Sequence, residues 1–187
     1  MSSKITTRWL LGASFALTAC SFAALKGKKP QIITLTVFIA ASLQNAMGEI
    51  PSLYAQHQPK VKIVYNLDSS GSLQQQIQQG ARVDVFISAA PQHMDALAAQ
   101  GLLLKDTRFN LLSNELVLIV PQKENKITNF QQLIGEGVQK IVIGDPDSVP
   151  AGYYSREVLT ALELYPQLYD KLVFAKDVRQ ALFYVAT

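Results

Sequence analysis

From Ile32 onward, short apolar runs alternate with longer amphipathic ones. ITLTVFI (33–39) is apolar and β-branched over too few residues for a helix, so it predicts a buried strand. SLQNAMGEIPSLYAQHQ (42–58) places Leu43, Ala46, Met47, Ile50, Leu53 and Tyr54 on one face of a helix, which Pro51 should kink or interrupt. VKIVYN (61–66) predicts a second strand, and SLQQQIQQG (72–80) a helix stopped by Gly80. VDVFIS (83–88) predicts a third strand. PQHMDALAAQG (91–101) predicts a helix with proline at its start and glycine just past its end.

A second series begins at ELVLIVP (115–121), read as a strand. TNFQQLIGEG (128–137) follows as a helix, KIVIGD (140–145) as a strand and VPAGYYSREVLTALEL (149–164) as a long helix. KLVFA (171–175) is a short strand, and DVRQALFYVAT (177–187) opens a last helix. Strands alternating with helices predict an α/β fold with doubly wound parallel sheets. With 187 residues, 49% of them hydrophobic, the chain can bury one sizeable core or two small ones. The pattern divides near Leu112 to Glu115, giving two expected lobes, 32–112 and 113–187, the second incomplete at Thr187.

The first 30 positions follow different rules. MSSKITTRW carries two positive charges, and LLGASFALTA is apolar but short of the roughly 20 residues that span a bilayer. Residues 1–19 are therefore expected to be an export signal. The single cysteine, Cys20, ends the tetrapeptide LTAC, which resembles a bacterial lipoprotein box; the alternative is an ordinary leader in which Cys20 is incidental. The box implies lipidation of Cys20, with residues 20–31 as a tether to the outer face of a membrane. One cysteine excludes a disulfide within the chain.

Charge is distributed accordingly. Five of the 17 basic residues, Lys4, Arg8, Lys26, Lys28 and Lys29, fall in the first 30 positions, which hold no acid, so 12 bases face 14 acids thereafter. The net charge of +3 thus belongs to the first 30 positions, and the body has no basic-aromatic stripe suited to nucleic acid.

Candidate chemistry lies where strands end and helices begin. Four segments repeat one pattern, small residues leading into a helix start: Ala41-Ser42; Ser69-Ser70-Gly71-Ser72; Pro150-Ala151-Gly152; and Asp177-Val178. In open parallel sheets, ligands bind beyond the carboxyl ends of the strands. A helix start offers unpaired N–H groups and about half a positive charge, so it suits an anion without any formal cation. Serine adds a hydroxyl donor, although serine at a helix start is also ordinary capping.

An enzyme is the competing class. SSGS is not followed by Gly-Lys-Ser/Thr, so it is not a Walker phosphate loop, and no G-x-S-x-G elbow occurs. His57 and His93 sit in polar contexts that predict surface positions. Asp145, before Pro146, predicts a turn former rather than a base.

The segments VFIAASLQNAM, NLDSSGSLQQQIQQG-ARVDVFISA, NELVLIVP, IGDPDSVPAGYYSREVLTALEL and DVRQALFYV together resemble the bacterial periplasmic molybdate-binding proteins of ABC transporters, from about Leu35 to Thr187. The resemblance implies a type II periplasmic-binding-protein fold whose two lobes hold molybdate or tungstate through neutral donors. Carried over by motif, these donors are Ser42, Ser70, Ala151 and Val178. It further implies no enzymatic activity, no cofactor beyond the oxyanion ligand and no direct metal-cation ligands. The expected partners are a membrane permease with its ATPase, and a membrane surface reached through the lipid anchor. A monomer on the periplasmic or cell-surface side is expected. In the family, a later strand with a ligand tyrosine follows, beyond Thr187 here; its loss would weaken binding. Other tetrahedral oxyanions, sulfate or phosphate, are the alternative ligands, and a non-functional truncated homologue is the alternative to a binding protein. A sensing domain of a regulator fits the export signal poorly.

Overall fold

The computed structural model describes residues 31–121 and 127–187. The expected leader, Cys20 and all but the last residue of the tether lie outside them. Strand β1 (Ile33–Ala40) is central in the first sheet, paired in parallel with β2 (Val61–Asp68) along its full length and with the short β3 (Val85–Ile87). Central placement explains its composition: Val37, Phe38, Ile39 and Ala40 are all buried, whereas the strand's first residues are exposed. The third strand is shorter than its apolar run. Asp84 takes an anchoring role instead, its backbone N–H donating to the Thr36 carbonyl while its carboxylate accepts from the Thr36 N–H at 2.7 Å.

After β1 comes a 3-10 turn (Ala41–Leu43), then α1 (Gln44–Met47) and α2 (Ile50–His57). The single helix expected over 42–58 is therefore broken at Gly48 and Glu49. Pro51 occupies the first turn of α2, where its missing N–H costs nothing. Helix α3 (Ser70–Gln78) follows β2, and α4 (Pro91–Ala99) follows β3. Phe38, Leu73, Ile77 and Leu97 form the core beneath them.

The second sheet pairs β4 (Ile141–Gly144) in parallel with β5 (Leu172–Ala175). Helix α5 (Pro150–Ala161) follows β4, the short α6 (Tyr165–Leu168) and a 3-10 turn (Tyr169–Lys171) lead into β5, and α7 (Val178–Ala186) follows it. Leu133, Ile141, Ile143, Leu159, Leu164 and Leu168 form a second, separate core. Residues 32–187 form one compact unit that carries both sheets and both cores.

Three expectations in this half are corrected. ELVLIVP (115–121) makes no ladder: Val117 and Ile119 are exposed and only Leu118 packs against the second core. A β-branched run becomes a strand only when another backbone accepts its hydrogen bonds, and among the described residues none is aligned with it. The helix expected over 128–137 is a 3-10 turn at Phe130–Ile134, capped by the Asn129 side chain and ended by Gly135. The long helix expected over 149–164 stops at Ala161, where Glu163 adopts a left-handed φ of 58°.

That stop is a Schellman motif, with the Leu164 N–H donating to Leu159 O and the Glu163 N–H to Thr160 O. Helices α3 and α4 end in the same way on Gly80 and Gly101, at φ of 91° and 68°, as the glycine placement predicts.

Candidate functional site

The five parallel strands among the described residues deliver their carboxyl ends to one cleft of about 380 Å³. Ala40 to Ser42 line it from beyond β1, Ser69 and Ser70 from beyond β2, and Ala89 from beyond β3. Val149 to Ala151 contribute from beyond β4, and Asp177 and Val178 from beyond β5. Ser42, Ser70, Ala151 and Val178, the four residues singled out in the sequence, therefore face a common space. The volume falls in the range of small-molecule sites, about 300–1,000 Å³.

Local chemistry explains why donors are free there. Ser69 is the N-cap of α3: its Oγ accepts from the Ser72 N–H at 3.2 Å and donates to Ser72 Oγ at 2.9 Å. The Ser69 N–H donates to Asp68 Oδ1 at 2.7 Å. Ser70 is fully buried, and its Oγ accepts from the Ala89 N–H at 3.0 Å, which leaves the hydroxyl proton to donate elsewhere. The Ser70 N–H has no acceptor among the described residues.

Helix α5 opens on Pro150, which has no N–H, behind an N-cap valine whose side chain cannot accept. Gly152 and Tyr153 both donate to the Val149 carbonyl, so the Ala151 N–H is the free donor of that turn among the described residues. In α7, Asp177 caps through Oδ1, accepting from the Gln180 N–H at 2.8 Å, and the Val178 N–H is left free in the same sense. Ser42 is exposed, on the 3-10 turn after β1.

Electrostatics follow from these peptides. Among the described residues no lysine, arginine or histidine lines the cleft; its ionisable lining side chains there are the carboxylates of Glu115 and Asp177 and the phenol of Tyr154. The positive ends of α3, α5 and α7, each about half a charge, supply the favourable field. Such a set of neutral donors suits a compact anion whose charge is spread over several oxygens.

Sequence reasoning missed several lining residues. Tyr154 lies three residues after Ala151 on α5 and Val158 one turn further, so helical spacing could have found them. Asn114, Glu115 and Leu116 come from the crossover between the two series. Asn114 Nδ2 donates to the Ala89 carbonyl at 3.0 Å, a long-range contact that no local pattern announces.

The aspartate and histidine readings divide. Asp145 is a turn organiser, as expected: its Oδ1 accepts from the Asp147 N–H at 3.0 Å and its Oδ2 from Ser148 Oγ at 3.1 Å. His57 is exposed. His93 is not on the surface but buried between α4 and α3, its Nδ1 2.7 Å from Gln74 Oε1 and its Nε2 without a partner. Burial holds its pKa below the usual histidine value. The polar context PQHMD hid this, because tertiary packing of α4 on α3 decides it.

The family description "Bacterial extracellular solute-binding protein" matches residues 35–187. A Bacillus subtilis protein, YvgL, provisionally named as an ABC transporter substrate-binding lipoprotein, is 40% identical over 95% of this chain and 68% of its own length. The molybdate-binding protein ModA of Haemophilus influenzae is 36% identical over 96% of this chain and 68% of its own. The solved Azotobacter vinelandii periplasmic molybdate-binding protein superposes with a TM-score of 0.65 at 29% identity, covering 81% of this chain and 66% of that one. The chain thus spans about two thirds of the length of these relatives. By the extent of the family match and by these identities, the chain belongs to the bacterial extracellular solute-binding proteins.

Proposed function

We propose that the cleft captures molybdate or tungstate and presents it to the permease of an ABC importer, which a separate ATPase drives. The observation that carries this reading is the convergence of Ser42, Ser70, Ala151 and Val178 on one cleft that no cationic side chain lines among the described residues. The molybdate-binding names of two relatives support the choice of ligand. In the proposed mechanism, lobes 32–112 and 113–187 close on the oxyanion as a hinged clamp. Four neutral donors replace its hydration shell, each charge-assisted bond contributing about 1.5–3 kcal/mol. The protein carries out no chemical step and needs no cofactor. It works as a monomer outside the cytoplasmic membrane, anchored through a lipid on Cys20.

Sulfate and phosphate are the competing ligands, since helix N-termini serve any tetrahedral oxyanion. Isothermal titration calorimetry separates them. Molybdate and tungstate should bind at one site per chain, with sulfate and phosphate weaker by at least about tenfold, or roughly 1.4 kcal/mol. Equal affinities for all four would remove the molybdate assignment.

A further inference from the structure

Besides the packing of α7 on the turn after β1 and the Asn114–Ala89 hydrogen bond, the two halves meet backbone to backbone at one place on the edge of the cleft. The N–H of Gly71, the second residue of α3, donates to the Ser148 carbonyl oxygen at 3.0 Å. A Cβ added to Gly71 would collide with that oxygen and would stand 2.8 Å from Ser148 Cα and 2.9 Å from its carbonyl carbon. No flexible side chain lies between them to give way.

The Ser148 side of the contact is held firmly. The Asp145 carbonyl accepts from the Ser148 and Val149 N–H groups, and the Asp145 carboxylate binds the Asp147 N–H and the Ser148 hydroxyl. On the other side, α3 gives no reason for a glycine. Gly71 is helical without the positive φ found at Gly80 and Gly101, and alanine is the better helix former. The close approach to Ser148 is the feature that excludes a side chain.

We infer that Gly71 is a positioning residue that sets how far the two halves close: its bare backbone clasps Ser148 and fixes the distance between the Ser70 and Ala151 donors. This rests on the oxyanion-capture reading. The clasp lies one residue from Ser70 on one half and three residues from Ala151 on the other, so a ligand bridging those two donors favours the same closed arrangement as the clasp. Ligand and clasp therefore stabilise each other, and weakening one weakens the other.

The test is Gly71→Ala in the 187-residue chain. Spin labels are placed at the exposed positions Ala99 and Asp170 through cysteine substitutions in a Cys20→Ser background. With molybdate, double electron–electron resonance should give a short, narrow inter-label distance in the parent and a longer, broader one in Gly71→Ala. Molybdate affinity should fall at least about tenfold, well beyond any change in Gly137→Ala. Gly137→Ala, where a Cβ meets nothing within 4 Å, should behave as the parent. Parent-like distance and affinity in Gly71→Ala would overturn the inference. If the parent binds no oxyanion, the capture reading fails by itself, and the ligand-free inter-label distances still judge the clasp. Should Gly71→Ala not fold, hydrogen exchange of the parent's Gly71 amide decides. Protection that rises with molybdate supports the clasp, and an unprotected amide in the saturated chain contradicts it.

Discussion

Ser42 and Ser70 stand at equivalent strand–helix junctions, yet their surroundings predict different consequences of losing the hydroxyl. Ser42 is exposed, so Ser42→Ala should weaken molybdate binding by about 1.5–3 kcal/mol and leave the unfolding midpoint nearly unchanged. Ser70 is fully buried and accepts the Ala89 N–H. Ser70→Ala should weaken binding similarly and also cost about 1–3 kcal/mol of stability, because that amide is left unpaired. Calorimetry and urea denaturation on the same samples check the contrast. His93 offers a second test. Its pKa is lowered by desolvation, so the unfolded chain binds more protons as pH falls through about 6.5. Stability is therefore fully present above that value and declines below it. His93→Gln should flatten this slope, measured as urea midpoints between neutral and mildly acidic pH.

At the scale of elements, what the sequence reveals depends on how local the governing force is. Helix starts and stops were legible at Gly80, Gly101 and Pro150, because capping and φ preferences act within a few residues. Strands β1, β2, β4 and β5 were legible as β-branched runs whose burial is supplied by a neighbouring strand. ELVLIVP carries the same signal and is not a strand among the described residues, since pairing requires a partner that composition does not encode. The end of α5 was misread for a related reason: Glu163 stands where glycine normally marks a stop. Left-handed backbone costs a non-glycine residue roughly 1–2 kcal/mol. Glu163→Gly should recover about 1 kcal/mol of that, seen as a raised Tm, and an unchanged or lowered Tm would mean that Glu163 contributes something the backbone geometry does not require.

At the scale of the whole molecule, two small parallel sheets with separate cores place all their strand ends around one gap. The four proposed donors come from segments as far apart as Ser42 and Val178, and each segment was visible in the sequence as the approach to a helix start. Their neighbours Asn114 and Glu115 were not, because a long crossover brings them there. Glu115 and Asp177 line the same cleft. With acids and no bases on its walls among the described residues, the proposed capture of an anion would rest on aligned peptide dipoles and hydroxyls, which reward oxygens at fixed positions rather than charge alone. Anomalous diffraction from a crystal of the chain grown with tungstate tests this most directly. The account predicts a single tungsten peak within hydrogen-bonding reach of the hydroxyls of Ser42 and Ser70 and the N–H groups of Ala151 and Val178. A peak beside a lysine or arginine on the surface, with the cleft empty, would contradict it.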